Sequence, residues 1–181
     1  MSAAPVPPSG DPVTPATDAP VLDDVVAYHA LLPGQGALIG LDPGTRTLGV
    51  AASDTRRALA SPLETVRRGK FMQDAQRLAQ LTEARAAVGL VIGLPRNMDG
   101  TEGPRCQSSR AFARNLARQL HLPILLWDER LSTVAAERAL LEGDTSRRRR
   151  AEVIDHVAAG LILQGALDRL ARLGREGDAD G

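Results

Sequence analysis

Two short apolar runs separated by a tight turn constrain this chain more than any other feature. Leu38 to Leu41 runs into Asp42; Pro43 and Gly44 follow; Leu48 to Ala52 is apolar again. Short aliphatic runs bounded by Pro and Gly read as buried strands, and a tight turn between two of them pairs them antiparallel. Strands are therefore expected over 38–42 and 47–53, with Asp42 at the mouth of a sheet. An ionised carboxylate in that position needs a positive partner, and a divalent cation is one solution. A turn aspartate that bonds its own backbone is the other reading. Partner carboxylates elsewhere in the chain decide between them.

The rest of the chain alternates. A third strand is expected over 62–66. Phe71, Ala75, Leu78 and Thr82 share one helical face and mark a helix over 71–84. Val88 to Gly93 reads as a strand, followed by a Gly-rich loop over 93–103. Phe112, Leu116 and Leu120 mark a helix over 105–120, and Pro123 to Trp127 a strand. Ser132 is a plausible N-cap for a helix to residue 142, and a last helix is expected over 148–173. Three early strands followed by alternating helices and strands predict an α/β chain: a mixed five-stranded sheet flanked by helices. Residues 1–20 are rich in Pro, Ala and Thr and read as a disordered extension. Residues 21–36 read as a short helix and linker, 37–174 as the folded domain and 175–181 as a flexible tail.

Composition narrows the classes. The 181 residues suit one domain with a real core, 43% of them being hydrophobic. No apolar run is long enough to span a bilayer, and the first residues lack the basic start and apolar stretch of a secretory signal. The single cysteine, Cys106, excludes an internal disulfide and suits the cytoplasm. Net charge is zero over the whole chain, yet residues 37–174 hold 21 of the 22 basic and 15 of the 22 acidic side chains. That mildly basic segment suits a nucleic-acid partner. Only four aromatic residues, Tyr28, Phe71, Phe112 and Trp127, argue against a base-stacking platform.

Two further carboxylates suit the first. Asp128 and Glu129 follow the strand ending at Trp127, and sites in α/β sheets gather at the carboxyl ends of parallel strands. A local ion network of Asp128, Glu129 and Arg130 is the alternative. Asp155 interrupts a helix that is apolar on every side from 157 to 163, and faces either water or a partner. Three acids converging on one pocket would repel each other; Mg²⁺ or Mn²⁺ relieves that repulsion and can activate water against a phosphodiester. Oxygen-only ligands select such hard cations over zinc.

Four motifs in sequence carry a resemblance. Asp42-Pro43-Gly44 with Gly49-Val50-Ala51, then Val91 to Gly100, then Asp128-Glu129-Arg130-Leu131-Ser132-Thr133, then Ile154-Asp155 with Ala158-Ala159 and Ile162-Leu163-Gln164, resemble the YqgF/RuvX family in order and spacing over residues 37–170. The resemblance implies an RNase H-like fold and a nuclease that processes precursor 16S rRNA during ribosome biogenesis or, by kinship with RuvC, resolves Holliday junctions. It carries the catalytic and metal-binding role onto Asp42, Glu129 and Asp155. Many members have a second basic residue where this chain has Thr47, after Arg46, a departure that bears on one phosphate contact implied by the resemblance and not on the metal site.

Around these residues, Arg46, Arg96 and the run Arg147, Arg148, Arg149 and Arg150 are candidate phosphate contacts; a run of arginines is otherwise a solvated face. Asn97 and Asp99, with Glu102, are candidates to support the loop or orient substrate. Arg105, Arg110 and Arg114 form either a second contact stripe or an exposed face. His156, beside Asp155, is expected to be structural. The expected partner is precursor rRNA or a ribosomal particle, with branched DNA as the alternative and no membrane. A monomer suits the first, and a homodimer suits symmetric cutting of a junction. Asp42-Pro43-Gly44-Thr45 also resembles the phosphate loop of actin-like ATPases, but those need two such domains and this chain is too short. A non-catalytic RNA-binding assembly factor is the remaining reading.

Overall fold

The computed structural model describes residues 18–132 and 147–179, except the side chains of residues 147–153 and 178–179. Six strands form one sheet: β1 (Val21–Leu22), β2 (Ala37–Pro43), β3 (Thr47–Ser53), β4 (Ala60–Arg67), β5 (Ala87–Leu94) and β6 (Ile124–Asp128). Their spatial order is β1-β6-β5-β2-β3-β4. β2, β3 and β4 are joined antiparallel, whereas β5 pairs with β2 and β6 with β5 in parallel. Among the described residues four helices accompany them: α1 (Val25–Leu31), α2 (Phe71–Ala84), α3 (Pro104–Leu120) and α4 (Arg147–Ala179). The sheet separates two apolar layers. Ile39, Leu41 and Leu48 pack toward α2 and α3, and Leu38, Val91 and Trp127 pack toward α1 and α4.

Three expectations need correction. The sheet has six strands, because Val21 and Leu22 add a parallel strand beside β6 where a helix is expected. Two residues carry no periodicity to read, and the pairing is tertiary: Ile124 N donates to Pro20 O at 2.9 Å. The expected helix begins only at Val25, capped by Asp24, whose carboxylate accepts from Val26 N at 2.8 Å. Residues 175–179 continue α4 instead of forming a tail, since Gly174 and Gly177 weaken a helix without breaking it. The expected helix over 132–142 falls almost wholly on residues 133–146, and the expected disorder over 1–20 mostly on 1–17, which lie outside the described residues. No helix among the described residues is long and apolar enough to cross a membrane.

β1 shields an edge. It covers β6, whose backbone would otherwise offer unpaired groups to another chain. Asp18 pairs with Arg118 at 3.1 Å and Asp23 with Arg110 at 3.0 Å, so the same segment is tied to α3. Tyr28 of α1 is fully buried and donates its hydroxyl to Leu90 O at 2.9 Å; burial holds its proton far above the usual tyrosine range.

Candidate active site

Asp42 is the last but one residue of β2 and is 3% exposed. The residue before a proline is held extended, which keeps Asp42 in the strand, and Pro43 has no N–H to prolong the ladder. The turn closes with Gly44 N donating to Thr47 O at 2.9 Å. On one side Asp42 is opposite Gly49 of β3. On the other, β2 pairs with β5 up to Leu41 and Ile92, so the next residues along are Asp42 and Gly93. Pleating puts Asp42, Gly49 and Gly93 on the face covered by α4.

Both glycines are occupied from above. A β carbon on Gly49 would stand 1.9 Å from the Asp155 carbonyl oxygen and 2.4 Å from its carbon. The backbone of α4 therefore crosses the sheet at Asp155, directly over the neighbour of Asp42. A β carbon on Gly93 would stand 2.8 Å from Glu129 Oε1 and 2.6 Å from Ile162 Cδ1. Glu129 begins a single 3-10 turn, Glu129–Leu131, immediately after β6. Asp42 thus lies between two strand positions, one covered by the Asp155 backbone and the other by the Glu129 carboxylate.

Hydrogen bonds fix the start of this α4 segment. The Thr47 hydroxyl donates to Asp155 Oδ2. Thr65, the cross-strand partner of Gly49, has its Oγ1 3.0 Å from His156 Nδ1. Thr47 therefore does more than vacate a basic position: it holds a carboxylate of the site, and nothing in its own sequence neighbourhood signals that. His156 has the structural part expected of it.

Asp128 and Glu129 separate in function although adjacent. Asp128 caps the 3-10 turn, accepting from Arg130 N at 3.0 Å, and clasps the Arg130 guanidinium at 2.7 Å. Those hydrogen bonds hold its carboxyl below the usual carboxylate range. The expected local ion network thus exists between Asp128 and Arg130, while the Glu129 side chain turns back over Gly93.

The loop after β5 is self-braced. Asn97 Nδ2 donates to Thr101 Oγ1 at 2.9 Å, and Asp99 accepts from Thr101 N at 2.9 Å and from its hydroxyl at 2.6 Å. The Thr101 bonds lower the Asp99 pKa. Glu102 receives Arg110 at 2.6 Å and Arg96 at 3.2 Å, and its carboxyl is pushed down chiefly by Arg110. Arg96 and Arg110 are therefore committed to a carboxylate, Arg110 to Asp23 as well. Arg46 is exposed at the β2–β3 turn. Arg147, Arg148, Arg149 and Arg150 form the first residues of α4, upstream of Asp155; their side chains lie outside the described residues.

In donor type, Asp42, Glu129 and Asp155 fit a hard divalent cation. They are not assembled as a cage: among the described residues no three His, Cys, Asp or Glu side chains are gathered closely enough to hold a metal.

A family model described as RuvX, Holliday junction resolvase, matches residues 36–169. The chain belongs to the RuvX family. It is 66% identical over 157 residues to a protein of Cereibacter sphaeroides, a match covering 87% of this chain and 98% of that relative. It is 67% identical over 155 residues to one of Paracoccus denitrificans, covering 86% and 98%. Both relatives carry the provisional name pre-16S rRNA nuclease. Among solved structures, RuvC of T. thermophilus, in complex with a Holliday junction substrate, aligns with a TM-score of 0.48 at 15% identity, over 77% of this chain and 96% of that one. This RuvX member is a nuclease whose mixed α/β sheet carries Asp42 on β2, one of its two central strands.

Proposed function

We propose that this chain is a divalent-metal-dependent endonuclease of the cytoplasm that cleaves precursor 16S rRNA at its 5′ side during ribosome biogenesis, with Asp42, Glu129 and Asp155 as its catalytic carboxylates. The observation that carries the reading is the placement of Asp42 between Gly49 and Gly93, each covered by one of the other two acidic residues. Two relatives named as pre-16S rRNA nucleases, at 66% and 67% identity, favour the RNA substrate.

The three carboxylates would hold Mg²⁺ or Mn²⁺, and a bound ion would supply a Lewis acid and an activated water for phosphodiester hydrolysis. The chain's own residues do the positioning. Thr47 orients Asp155, the Asp128–Arg130 clasp sets the turn that aims Glu129, and the burial of Asp42 favours a positive partner for it. Arg46 and the arginines at positions 147–150 are suited to phosphates flanking the cleaved bond. Arg96, paired with Glu102, contributes by bracing the loop.

The description of the matching family favours a second reading, cleavage of four-way DNA junctions. Purified protein with Mn²⁺ is to be offered a precursor 16S rRNA 5′ fragment and a four-way DNA junction side by side. The reading expects cleavage of the RNA and its loss in Asp42→Asn. Cutting of the junction alone would establish the second reading, and equal activity of wild type and Asp42→Asn would dismiss both.

A further inference from the structure

The rim of the sheet next to the site carries a group of cations that the site residues do not use. Arg67 is the cross-strand partner of Thr47, on the face where Thr47 holds Asp155. The chain then rounds the end of the sheet. Arg68 N donates to Arg46 O at 2.9 Å, and its guanidinium donates to Gly44 O at 2.6 Å and lies 3.7 Å from the buried Asp74. Lys70 follows at the N-cap of α2. Beside it opens a cleft of about 630 Å³ lined by Arg68 and Gly69, by Arg105 in the first turn of α3, and by Thr45 and Ser108.

Arg46, Arg67, Lys70 and Arg105 are all exposed, and among the described residues none of them has an acidic partner. Arg68 alone has one. The cations at the other side of the site differ: Arg96 and Arg110 share Glu102, and Arg130 is held by Asp128. Like charges gathered on one rim repel each other, and a polyanion laid along them removes that repulsion while releasing its own counterions. The cleft is open, polar and continuous with the β2–β3 turn, so a phosphate backbone can run from the Asp155 face around the turn into it.

We propose that Arg67, Lys70 and Arg105, with the adjoining cleft, form a phosphate track that holds the single RNA strand leaving the site around the end of the sheet. The inference rests on the nuclease reading of the Asp42 site and names how its substrate is held beyond the cleaved bond. Three phosphate contacts on a single strand contribute about 2 to the slope of log affinity against log salt.

The test is fluorescence anisotropy of a fluorescein-labelled single-stranded RNA from the precursor 16S 5′ flank, with the full chain in EDTA, across a salt series. The triple variant Arg67→Gln, Lys70→Gln, Arg105→Gln is expected to lose about 2 from that slope, an affinity loss of about tenfold or more at low salt. The comparison variant Arg56→Gln, Arg85→Gln, Arg172→Gln removes the same charge from other exposed positions and is expected to keep the slope. An unchanged slope in the first variant, or an equal fall in the second, overturns the track. The two levels separate cleanly. If the first variant alone loses the slope but wild type cleaves nothing once Mn²⁺ is added, the nuclease reading fails and the track stands. If cleavage proceeds and the first variant keeps its slope, the track fails and the nuclease reading stands.

Discussion

Adding a single methyl group at Gly49 tests whether α4 is seated on the sheet through that residue. The β carbon of Gly49→Ala would stand 1.9 Å from the Asp155 carbonyl oxygen. Comfortable contact begins near about 3.5 Å, so α4 has to retreat by about 1.5 Å at this point. The obstacle is helix backbone, so no rotamer change relieves it. The next turn gives no slack either, since Ala158, Ala159, Ile162 and Leu163 are at most 1% exposed. Overpacking of this kind costs about 1–3 kcal/mol. For a chain of this size that lowers Tm by about 2–12 °C, at about 2–4 °C per kcal/mol. A catalytic group misplaced by about 1 Å costs about 10²-fold in rate. Melting followed by circular dichroism and single-turnover cleavage with Mn²⁺ measure the two effects. Gly160→Ala is the comparison: its β carbon meets only Pro62, no nearer than 3.4 Å at Cγ, and losing a mid-helix glycine is expected to add about 0.5–1 kcal/mol. A Gly49→Ala protein with the wild-type Tm and more than half the wild-type rate would refute the close seating of α4 over Asp42.

At Gly93 the intruding atoms are the flexible ends of Ile162 and Glu129, so Gly93→Ala is expected to cost less Tm than Gly49→Ala while still displacing the Glu129 carboxylate; a loss of Tm without loss of rate would count against this. Thr47→Val removes the donor to Asp155, a charge-assisted bond of the class contributing about 1.5–3 kcal/mol, and is expected to lower kcat about tenfold or more, with Thr47→Ser restoring it. Asp42→Asn is expected to keep the wild-type circular dichroism spectrum and lose cleavage. Because its folded-state pKa is depressed by Arg130, Asp128 stabilises the fold above the ordinary carboxylate range, and that stability is lost as pH falls through its lowered folded value. Asp128→Asn should therefore melt below wild type at pH 7, and the gap should close in acid; a gap independent of pH would assign the effect to packing instead of charge.

Much of the fold is legible in the chain because it is local. β2 and β3 are apolar runs about a Pro-Gly turn, and α2 and α3 show their buried faces at helical spacing. β1 is not legible: two residues have no period, and the pairing depends on β6, about a hundred positions away. The end of α4 is misjudged because its glycines look like a stop, although nothing packs there to exploit one. For the site, the acidic residues stand out by type, but what sets their relation does not. Gly49 and Gly93 look like any strand glycines until the register places them on either side of Asp42. Thr47 reads as a missing basic residue, and only the crossing of α4 shows which carboxylate it holds. Glu102 looks available for substrate until Arg96 and Arg110 are seen to converge on it.

Trp127 is the only tryptophan in the chain. Its indole rests against Gly165 of α4, two residues before Glu129, and among the described residues its ring N–H is buried without an acceptor. The molecule thus carries an intrinsic fluorophore wedged between the Glu129 turn and the helix that bears Asp155. Any lifting of that helix would wet the indole and shift its emission to longer wavelength, so ion titrations and variant comparisons can be followed on unlabelled protein.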